Sequence, residues 1–322
     1  MRSSLESVVR GAGHVLAATH VSPDPDGIGS LLALGMLLER MQVSHTLVSQ
    51  DGVPYDADFL PGADTIVTDA PHDFDVAILL DCSEPRRIGA AAERLDEATV
   101  VNIDHHATNT RFGDVIRVDA GALSTSQIVH RLAGELGYSL DRRMATCLLA
   151  GLVGDTQGFR IAATDARVLD DAAALVAAGG DLGEVSRGVF GARPLGHVAL
   201  WGRVLAGASQ SAGVLSAQIR LADRRAAGVA EDDDAGIVNF LQSVRGTRAA
   251  VIFSEQGDSK VSVSLRSVPG VDVAAVAADF GGGGHRQAAG CTLVGDLIDV
   301  SSRVLARVRQ AVDDSTLGRG SG

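Results

Sequence analysis

The 322-residue sequence is poor in aromatic side chains and in cysteine. Phe, Trp and Tyr make up 3% of it while hydrophobic residues make up 46%, so the core must be built from Ala, Val and Leu. Its three cysteines, Cys82, Cys147 and Cys291, are an odd number, widely spaced and set in apolar surroundings. This pattern excludes a disulfide framework and favours reduced, buried thiols.

Long apolar runs are missing as well. No run reaches the ~20 residues that a membrane-spanning helix needs. The first ten residues carry Arg2, Glu6 and Arg10, and they lack the long apolar segment of a secretory signal. We therefore expect no membrane partner and a cytoplasmic location.

Positive charge is also scarce, because 28 basic residues face 40 acidic ones and the formal net charge is −12. An acidic protein is poorly suited to bind long nucleic acid, which prefers a basic surface. A small anionic substrate held through a metal ion remains compatible with this charge. The length exceeds the ~100–200 residues of a typical domain, so we expect two domains.

The first half alternates short apolar segments with segments of helical periodicity. Strands are predicted at residues 14–20, 45–49, 65–68, 75–80, 100–103 and 115–118, and helices at 1–11, 28–41, 84–98, 124–136, 142–152 and 165–178. This alternation is typical of an α/β fold with a doubly wound, mostly parallel sheet. Asp26 is predicted to cap the helix at 28–41, and Ser124 or Thr125 the helix at 124–136.

The second half predicts a smaller α+β domain behind a helical connector. The expected boundaries are 1–181 for the first domain, 182–211 for the connector and 212–322 for the second domain, with a disordered tail from about 313. Strands are predicted at 214–220, 248–254, 260–266 and 291–294, and helices at 273–280 and 298–312. Residues 255–258 contain the residue types of a hairpin turn between the second and third of these strands.

Acids and imidazoles stand where four apolar segments stop. They are His20, Asp24 and Asp26, then Asp81, then Asp104, His105 and His106, and finally Asp155. Taken alone, residues 20–26 are equally compatible with a solvated acidic turn, and Asp81 or Asp155 with an ordinary loop acid. Because strand ends converge at the ligand-binding edge of an α/β sheet, the four segments together predict a metal site.

The candidate ligands also indicate the kind of metal. Six side chains qualify: His20, Asp24, Asp26, Asp81, His105 and Asp155. Six ligands are too few for two complete octahedra, which leaves positions for water and phosphate. A mixed Asp and His set without cysteine favours Mn²⁺ over a structural Zn²⁺.

A run of four glycines, Gly281 to Gly284, precedes His285 and Arg286. Glycine lets backbone N–H groups approach an anion closely, so Gly282, Gly283 and Gly284 are candidates for a phosphate-binding loop. The alternative is a flexible linker. The run lies between a predicted helix and a predicted strand of one domain, which favours the phosphate-binding interpretation.

These motifs together resemble the DHH phosphoesterase superfamily, in particular its members with a DHHA1 domain. The motif that names the superfamily is present as Asp104-His105-His106, and the first motif as residues 20–26. The glycine motif is present as residues 281–290, GGGGHRQAAG. The length and two-domain layout are similar to the subgroup of bifunctional oligoribonucleases and 3′-phosphoadenosine 5′-phosphate (pAp) phosphatases.

The resemblance implies a role for each candidate residue. One Mn²⁺ would bind His20, Asp24 and Asp81, and a second would bind Asp26, Asp81, His105 and Asp155, with Mg²⁺ or Co²⁺ as substitutes. Of the catalytic residues, Asp81 would bridge the ions, Asp104 would orient a histidine and His106 would face the scissile phosphate. The glycine segment, His285, Arg286 and Arg266 would bind substrate.

The implied activity is hydrolysis by metal-activated water, with no protein nucleophile. The substrates would be short oligoribonucleotides, cleaved to mononucleotides, and pAp, converted to AMP; the sequence adds no domain for longer strands. The alternatives are a cyclic di-AMP or pApA phosphodiesterase, an inorganic pyrophosphatase and a nucleotide-sensing module without turnover. A homodimer through the first domain is expected.

Overall fold

The structure, a computed structural model, describes residues 2–191, 193–230 and 234–317. The chain forms two compact units, Met1–Arg193 and Pro194–Gly322. The division into three parts that was predicted from the sequence, with a connector at 182–211, stays a prediction. Two elements predicted from the sequence extend to residue 1 and across residue 192, which lie outside the described residues.

The first unit is built around a five-stranded parallel sheet. Its strands are β1 (Val15–Ala18), β2 (His45–Val48), β3 (Val76–Leu80), β4 (Thr99–Asp104) and β5 (Val115–Val118). They lie in the order β2-β1-β3-β4-β5, and every neighbouring pair is parallel. The strand order changes direction between β1 and β3, which is where open α/β sheets bind ligands. The predicted α/β fold is confirmed.

Helices and a 3₁₀-helical segment bury both faces of this sheet. The helices of this unit are α1 (Arg2–Gly11), α2 (Pro25–Arg40), α3 (Thr125–Glu135), α4 (Arg142–Asp155), α5 (Ala166–Ala177) and α6 (Leu182–Ser186). Helices α2 and α3 contact the strands, α4 packs against α2 and α3, and α5 and α6 pack against α4. On β3, Ile78 and Leu80 join the cluster that contains α2 and α4, while Ala77 and Leu79 join a cluster with the segment 85–97. This two-sided burial explains why β3 is apolar at every position.

Helices α2 and α4 pack so closely that the backbone of one lies against the backbone of the other. A Cβ atom placed on Gly29 of α2 would lie 2.3 Å from the carbonyl oxygen of Cys147 on α4. Glycine at this position therefore allows the two helices to pack closely. This contact holds the N-terminal part of α2 in place. The helix begins directly after the candidate ligand Asp24, and the candidate ligand His20 lies shortly before it in the chain.

Two predictions for the first unit are wrong in detail. Residues 65–68, predicted as a strand, contain the end of a short 3₁₀ helix (Ala63–Thr65) and a single bridge between Val67 and Val48. The helix predicted at 84–98 is a 3₁₀-helical segment, Pro85–Glu97, interrupted at Gly89 with φ +73°. Gly89 interrupts the segment with a positive φ that glycine adopts readily, whereas Pro85 at the start is compatible with a helix.

The second unit contains a six-stranded mixed sheet. Its strands are β6 (Ser209–Ser211), β7 (Val214–Ile219), β8 (Ala249–Gln256), β9 (Lys260–Ser267), β10 (Gly283–His285) and β11 (Ala288–Val294). They lie in the order β10-β11-β9-β8-β7-β6, and only β7 and β8 are parallel within the described residues. The predicted hairpin of β8 and β9 is confirmed, with Val261, Val263 and Leu265 buried on one face.

Five helices are described in this unit, and they cover both faces of its sheet. They are α7 (Leu195–Leu205), α8 (Leu221–Ala227), α9 (Ile237–Ser243), α10 (Val273–Ala278) and α11 (Leu297–Leu317). Along β8, Val251 and Phe253 pack in the cluster of α10 and α11, whereas Ala250 and Ile252 pack in the cluster of α7 and α9. A separate small α+β domain is thereby confirmed.

Three features of this unit depart from the sequence predictions. Strands β6 and β10 and helices α8 and α9 were not predicted. Helix α11 continues to Leu317, so the prediction of disorder is wrong for residues 313–317, and residues 318–322 lie outside the described residues. Across the described parts of both units, no helix combines the length and apolarity needed to cross a bilayer.

Candidate metal centre

Three neighbouring strands of the first unit end at candidate site residues. His20 lies two residues beyond β1, Asp81 directly follows β3, and Asp104 is the last residue of β4. These strands are adjacent and parallel, so their carboxyl ends meet at one edge of the sheet. The side chains converge accordingly, and His20 Nε2 lies 3.4 Å from Asp81 Oδ2.

The start of helix α2 supplies two more acids by different routes. Asp24 is the N-cap, and its Oδ1 accepts hydrogen bonds from the backbone N–H groups of Asp26 and Gly27, each at 3.0 Å. Asp26 lies inside the first turn and is completely buried. The prediction that Asp26 caps the helix is therefore wrong. Asp24 takes this role because Pro25, which lacks a backbone N–H, suits the first helical position.

Asp81 is the centre of the cluster. Its side chain, 2% exposed, lies 3.4 to 3.5 Å from imidazole nitrogens of three residues, His20, His105 and His106. From there the cluster extends outward on two sides. His20 Nε2 lies 3.9 Å from Asp24 Oδ1, and His105 Nε2 lies 3.2 Å from Asp155 Oδ2.

These side chains form three groups whose ligand atoms all lie within 4.8 Å of one another. The groups are His20, Asp24 and Asp81; Asp26, His105 and Asp155; and Asp81, Asp104, His105 and His106. Carboxylate oxygens and imidazole nitrogens at such separations suit Mn²⁺ and similar divalent cations. All six candidate ligands thus lie in one cluster, and their division between two ions stays a prediction.

Burial and crowding perturb the titration of these groups. Burial raises the pKa of Asp26 well above its usual range, and the neighbouring carboxylates of Asp81 and Asp155 raise it further. Burial likewise raises the pKa of Asp155 to about 6. Although burial opposes it, His20 and His105 hold the pKa of Asp81 far below its usual range. A divalent cation would favour the charged form of every carboxylate here.

For the histidines, burial acts with the opposite sign, because it disfavours the protonated imidazole. Burial alone would lower the pKa of His20, but the carboxylates of Asp81 and Asp24 outweigh it and raise this pKa to about 9. The pKa of His105 is raised in the same way by Asp155 and Asp81. Because a metal ligand must be the neutral imidazole, binding of a cation would displace these protons.

Asp104 is placed to orient a histidine. Its Oδ1 accepts hydrogen bonds from His106 Nδ1 at 2.7 Å and from the backbone N–H groups of His105 and His106. Its other oxygen, Oδ2, accepts from Asn109 Nδ2. Both oxygens are therefore used within the protein, which favours the predicted positioning role for Asp104 over a role as metal ligand.

The backbone at Asp81 is unusual for a non-glycine residue, with φ +60°. Left-handed backbone costs free energy for most side chains, although Asp and Asn tolerate it better than others. Such conformations cluster at functional sites, where the surrounding structure holds them in place. Here the turn directs the Asp81 carboxylate toward the imidazoles instead of continuing strand β3.

The predicted substrate-binding residues all lie in the second unit. Arg266, near the end of β9, donates from Nε to Asn239 Oδ1 at 3.0 Å. Arg286 lies in the turn between β10 and β11 and forms a 3.0 Å ion pair with Asp272. His285 is the last residue of β10 and is exposed.

The glycine run is partly a strand and not only a loop, because Gly283 and Gly284 pair with Gly290 and Ala289 of β11. A Cβ atom on Gly282 would lie 2.1 Å from the carbonyl oxygen of Gly290, and one on Gly284 would lie 2.5 Å from that of Ala288. Two of the glycines are thus required by close strand packing. Around Gly283 no described heavy atom lies within 4 Å of such a Cβ, so that position remains the better candidate for ligand approach.

Comparison with known proteins agrees with both units. The family model "DHH family, N-terminal domain" matches residues 14–152, and "DHHA1 domain" matches residues 213–314. The bifunctional oligoribonuclease and PAP phosphatase NrnA of Thermus thermophilus is 37% identical over 96% of this chain and 94% of its own length. The chain belongs to the DHH family. The NrnA protein of Bacillus subtilis is 27% identical over 91% of this chain and 92% of its own length.

A solved structure extends the agreement to the whole fold. An exopolyphosphatase-related protein from Bacteroides fragilis superposes with a TM-score of 0.88, at 23% identity, over 97% of both chains. This likeness concerns the fold alone; the family models and the Thermus NrnA relative confirm the predicted family and the assignment of the chain to the DHH class of hydrolases. The roles of individual site residues stay predictions.

Thr125, at the start of α3, lies at the candidate metal centre but was not predicted as a site residue from the sequence. Its hydroxyl donates to Asp81 Oδ1 at 2.9 Å, and its backbone N–H donates to Asp26 Oδ2 at 2.6 Å. The backbone N–H of Ser126 donates to Asp26 Oδ1 at 3.0 Å. Of the two residues predicted as the N-cap, Ser124 is confirmed, and Thr125 is the first residue of the helix. The run of hydroxyl residues at 124–126 predicts a helix cap. Nothing in the sequence connects this run to Asp81 and Asp26, which lie 44 and 99 residues before Thr125.

Replacing Thr125 with Val is expected to weaken Mn²⁺ binding and turnover by about ten- to a hundredfold, as is typical when a residue that orients a metal ligand is lost. Val keeps the branched shape but removes the hydroxyl that holds Asp81. Titration with Mn²⁺, together with kcat and KM, provides the measurement. Thr125→Ser retains the hydroxyl and should retain activity. Equal Mn²⁺ affinity in the Val variant and the unmodified protein would contradict the positioning role.

Proposed function

We propose that this DHH protein is a Mn²⁺-dependent phosphohydrolase that binds two ions. It cleaves short oligoribonucleotides to mononucleotides and removes the 3′-phosphate of pAp to give AMP. The observation that carries the proposal is the position of Asp81 between imidazoles of His20, His105 and His106. A carboxylate that is shared by two metal ions needs further metal-ligating groups on both of its sides, and Asp81 has imidazoles there.

The proposed roles of the metal ligands follow the two groups of side chains that lie on either side of Asp81. His20 and Asp24 complete one ligand set with Asp81, and Asp26, His105 and Asp155 complete the other. Two divalent cations supply, when bound, the Lewis acidity that makes water a nucleophile near neutral pH. Asp104 fixes the ring of His106 through Nδ1, so that His106 can contact the scissile phosphate and stabilise its charge.

The choice of substrate rests on the relatives and on the chemistry of the second unit. The NrnA relatives are named as bifunctional oligoribonucleases and PAP phosphatases, and one of them aligns with 96% of this chain. Arg266, His285 and Arg286 supply groups that bind phosphate or base. The acidic net charge of −12 disfavours long nucleic acid as a substrate.

The proposal is tested by incubating the purified protein with Mn²⁺ and either pAp or a 5′-phosphorylated RNA dinucleotide. Phosphate release from pAp and mononucleotide release from the dinucleotide are expected, and both should stop on addition of EDTA and resume with excess Mn²⁺. The absence of both products at saturating Mn²⁺ would refute the proposal. Parallel reactions with cyclic di-AMP and pApA test the alternative phosphodiesterase activity by comparing specific activities.

Replacing His285 with Ala is expected to raise KM for the dinucleotide by about tenfold or more while Mn²⁺ binding is unchanged. A lost hydrogen bond to a charged group costs about 1.5–3 kcal/mol, and 1.4 kcal/mol corresponds to a tenfold change. Steady-state kinetics and Mn²⁺ titration provide the two measurements. His72→Ala, at an exposed loop position of the first unit, is the control. Reduced Mn²⁺ affinity in the His285 variant would contradict its assignment to substrate.

A further inference from the structure

The second unit contains a cavity of about 570 Å³ that none of the proposed roles uses. It lies at the β6–β7 edge of the sheet, between the end of α7 and the side of α11. The glycine strand β10 forms the opposite edge, five strand spacings or about 24 Å away. The cavity is therefore separate from the predicted substrate-binding residues of the same unit.

Three arginines surround this cavity: Arg203 on α7, Arg220 after β7 and Arg309 on α11. Within the part of the chain that the structure describes, none of the three forms an ion pair with a carboxylate. The one carboxylate in the described lining, that of Asp223, accepts a hydrogen bond from the backbone N–H of Arg220 at 3.3 Å. The lining is thus locally positive in a chain of net charge −12.

The remaining lining offers both polar and apolar contacts. Ser209 and Ser216 present hydroxyl groups from two paired strands. Gln218 donates to the buried Ser301 hydroxyl at 3.1 Å, which fixes the amide against α11. Leu305 forms an apolar part of the wall and packs against the core cluster that contains the buried Phe253. Guanidinium groups near hydroxyls and an apolar wall suit a ligand that carries a phosphate on an organic body.

We propose that this cavity binds a small organic phosphate of nucleotide size, as a second site distinct from the metal centre. The volume lies within the ~300–1,000 Å³ typical of small-molecule sites. Arg203, Arg220 and Arg309 hold the phosphate, since arginine pairs with phosphate oxygens in a bidentate manner. The organic part packs against Leu305. This proposal does not depend on catalysis at the metal centre.

The test uses the full-length protein and 5′-AMP as the probe, with phenylglyoxal labelling of arginines read peptide by peptide by mass spectrometry. AMP is expected to slow labelling of Arg203, Arg220 and Arg309 by at least about tenfold. The site-resolved readout separates this protection from any protection of Arg266 and Arg286. Adenosine, which lacks the phosphate, should protect none of the three arginines, and inorganic phosphate should protect them only at much higher concentration.

Variants provide a second measurement of the same site. Arg220→Gln and Arg309→Gln should each raise the AMP concentration needed for half-protection of the remaining two arginines by about tenfold. Arg303→Gln, on α11 and ion-paired with Asp299, should leave it unchanged. Unprotected arginines at saturating AMP would overturn the proposal. Equal protection by adenosine would overturn the assignment to a phosphate, and equal protection by inorganic phosphate the assignment to an organic ligand.

Discussion

Replacing Asp81 with Asn is expected to reduce turnover by at least about 10³-fold, equivalent to ~4 kcal/mol in the activation barrier. The carboxylate lies within 3.5 Å of imidazoles from three histidines. Asn preserves the shape of the side chain and removes its charge, so both proposed ligand sets lose their shared anion. Asn also tolerates the backbone φ of +60° that this position adopts.

Mn²⁺ titration and single-turnover kinetics measure the two consequences separately. The Asp81→Asn protein should bind Mn²⁺ more weakly in both sets, and excess metal should not restore the rate. Asp64→Asn, at an exposed position in the same unit, should match the unmodified protein in both assays. Near-normal turnover in the Asp81 variant would show that the cluster does not share a ligand at this residue.

The sequence was sufficient to predict the edge of the sheet at which the cluster lies. Asp81 follows an apolar segment without polar alternation, and His105 and His106 follow another. Such segments become parallel strands buried on both faces, and their carboxyl ends meet in space. The position of these side chains is therefore a consequence of local pattern combined with a general rule of topology.

Roles that depend on backbone geometry could not be predicted in the same way. Asp24 and Asp26 are chemically identical two residues apart, and only the extended backbone of Asp24, with φ −120° and ψ 178°, makes it the N-cap. Glycine disfavours strands, yet Gly283 lies in a strand because its backbone pairs with β11. These outcomes are decided by tertiary neighbours and not by local propensity.

The end of the chain illustrates the same limit. Residues 313–316 are all polar, and the local pattern has no apolar periodicity that would extend a helix to Leu317. The structure anchors this turn from outside the helix, since Arg248 donates to the carbonyl oxygen of Val312 at 3.1 Å and to Ser315 Oγ at 2.7 Å. A contact between residues more than sixty positions apart is not visible in a local pattern.

The cluster of candidate metal ligands depends on close packing behind it as well as on its own side chains. Asp26 is held by two backbone N–H groups at the start of α3, from Thr125 and Ser126. Gly151 of α4 lies directly behind this contact. A Cβ atom on Gly151 would lie 2.1 Å from Ser126 Oγ and 2.3 Å from Asp26 Oδ1, well inside van der Waals contact. The absence of a side chain at Gly151 is therefore a requirement of the site.

Replacing Gly151 with Ala is expected to reduce Mn²⁺ affinity and turnover by about a hundredfold, and to lower the free energy of unfolding by about 1–3 kcal/mol through overpacking. The added methyl group must displace the carboxylate of Asp26 or separate α4 from α3, since both atoms that it meets are buried. Urea unfolding, Mn²⁺ titration and kcat measure the three effects. Gly154→Ala is the matched control on the same helix, because its Cβ would meet Pro25 at an ordinary 3.4 Å.

Unfolding free energy and Mn²⁺ affinity that both equal those of the unmodified protein would show that Asp26 is not confined by α4. Lost stability with intact Mn²⁺ affinity would mean that the helices separate while Asp26 keeps its place, and would separate the packing role of Gly151 from any role in the metal centre.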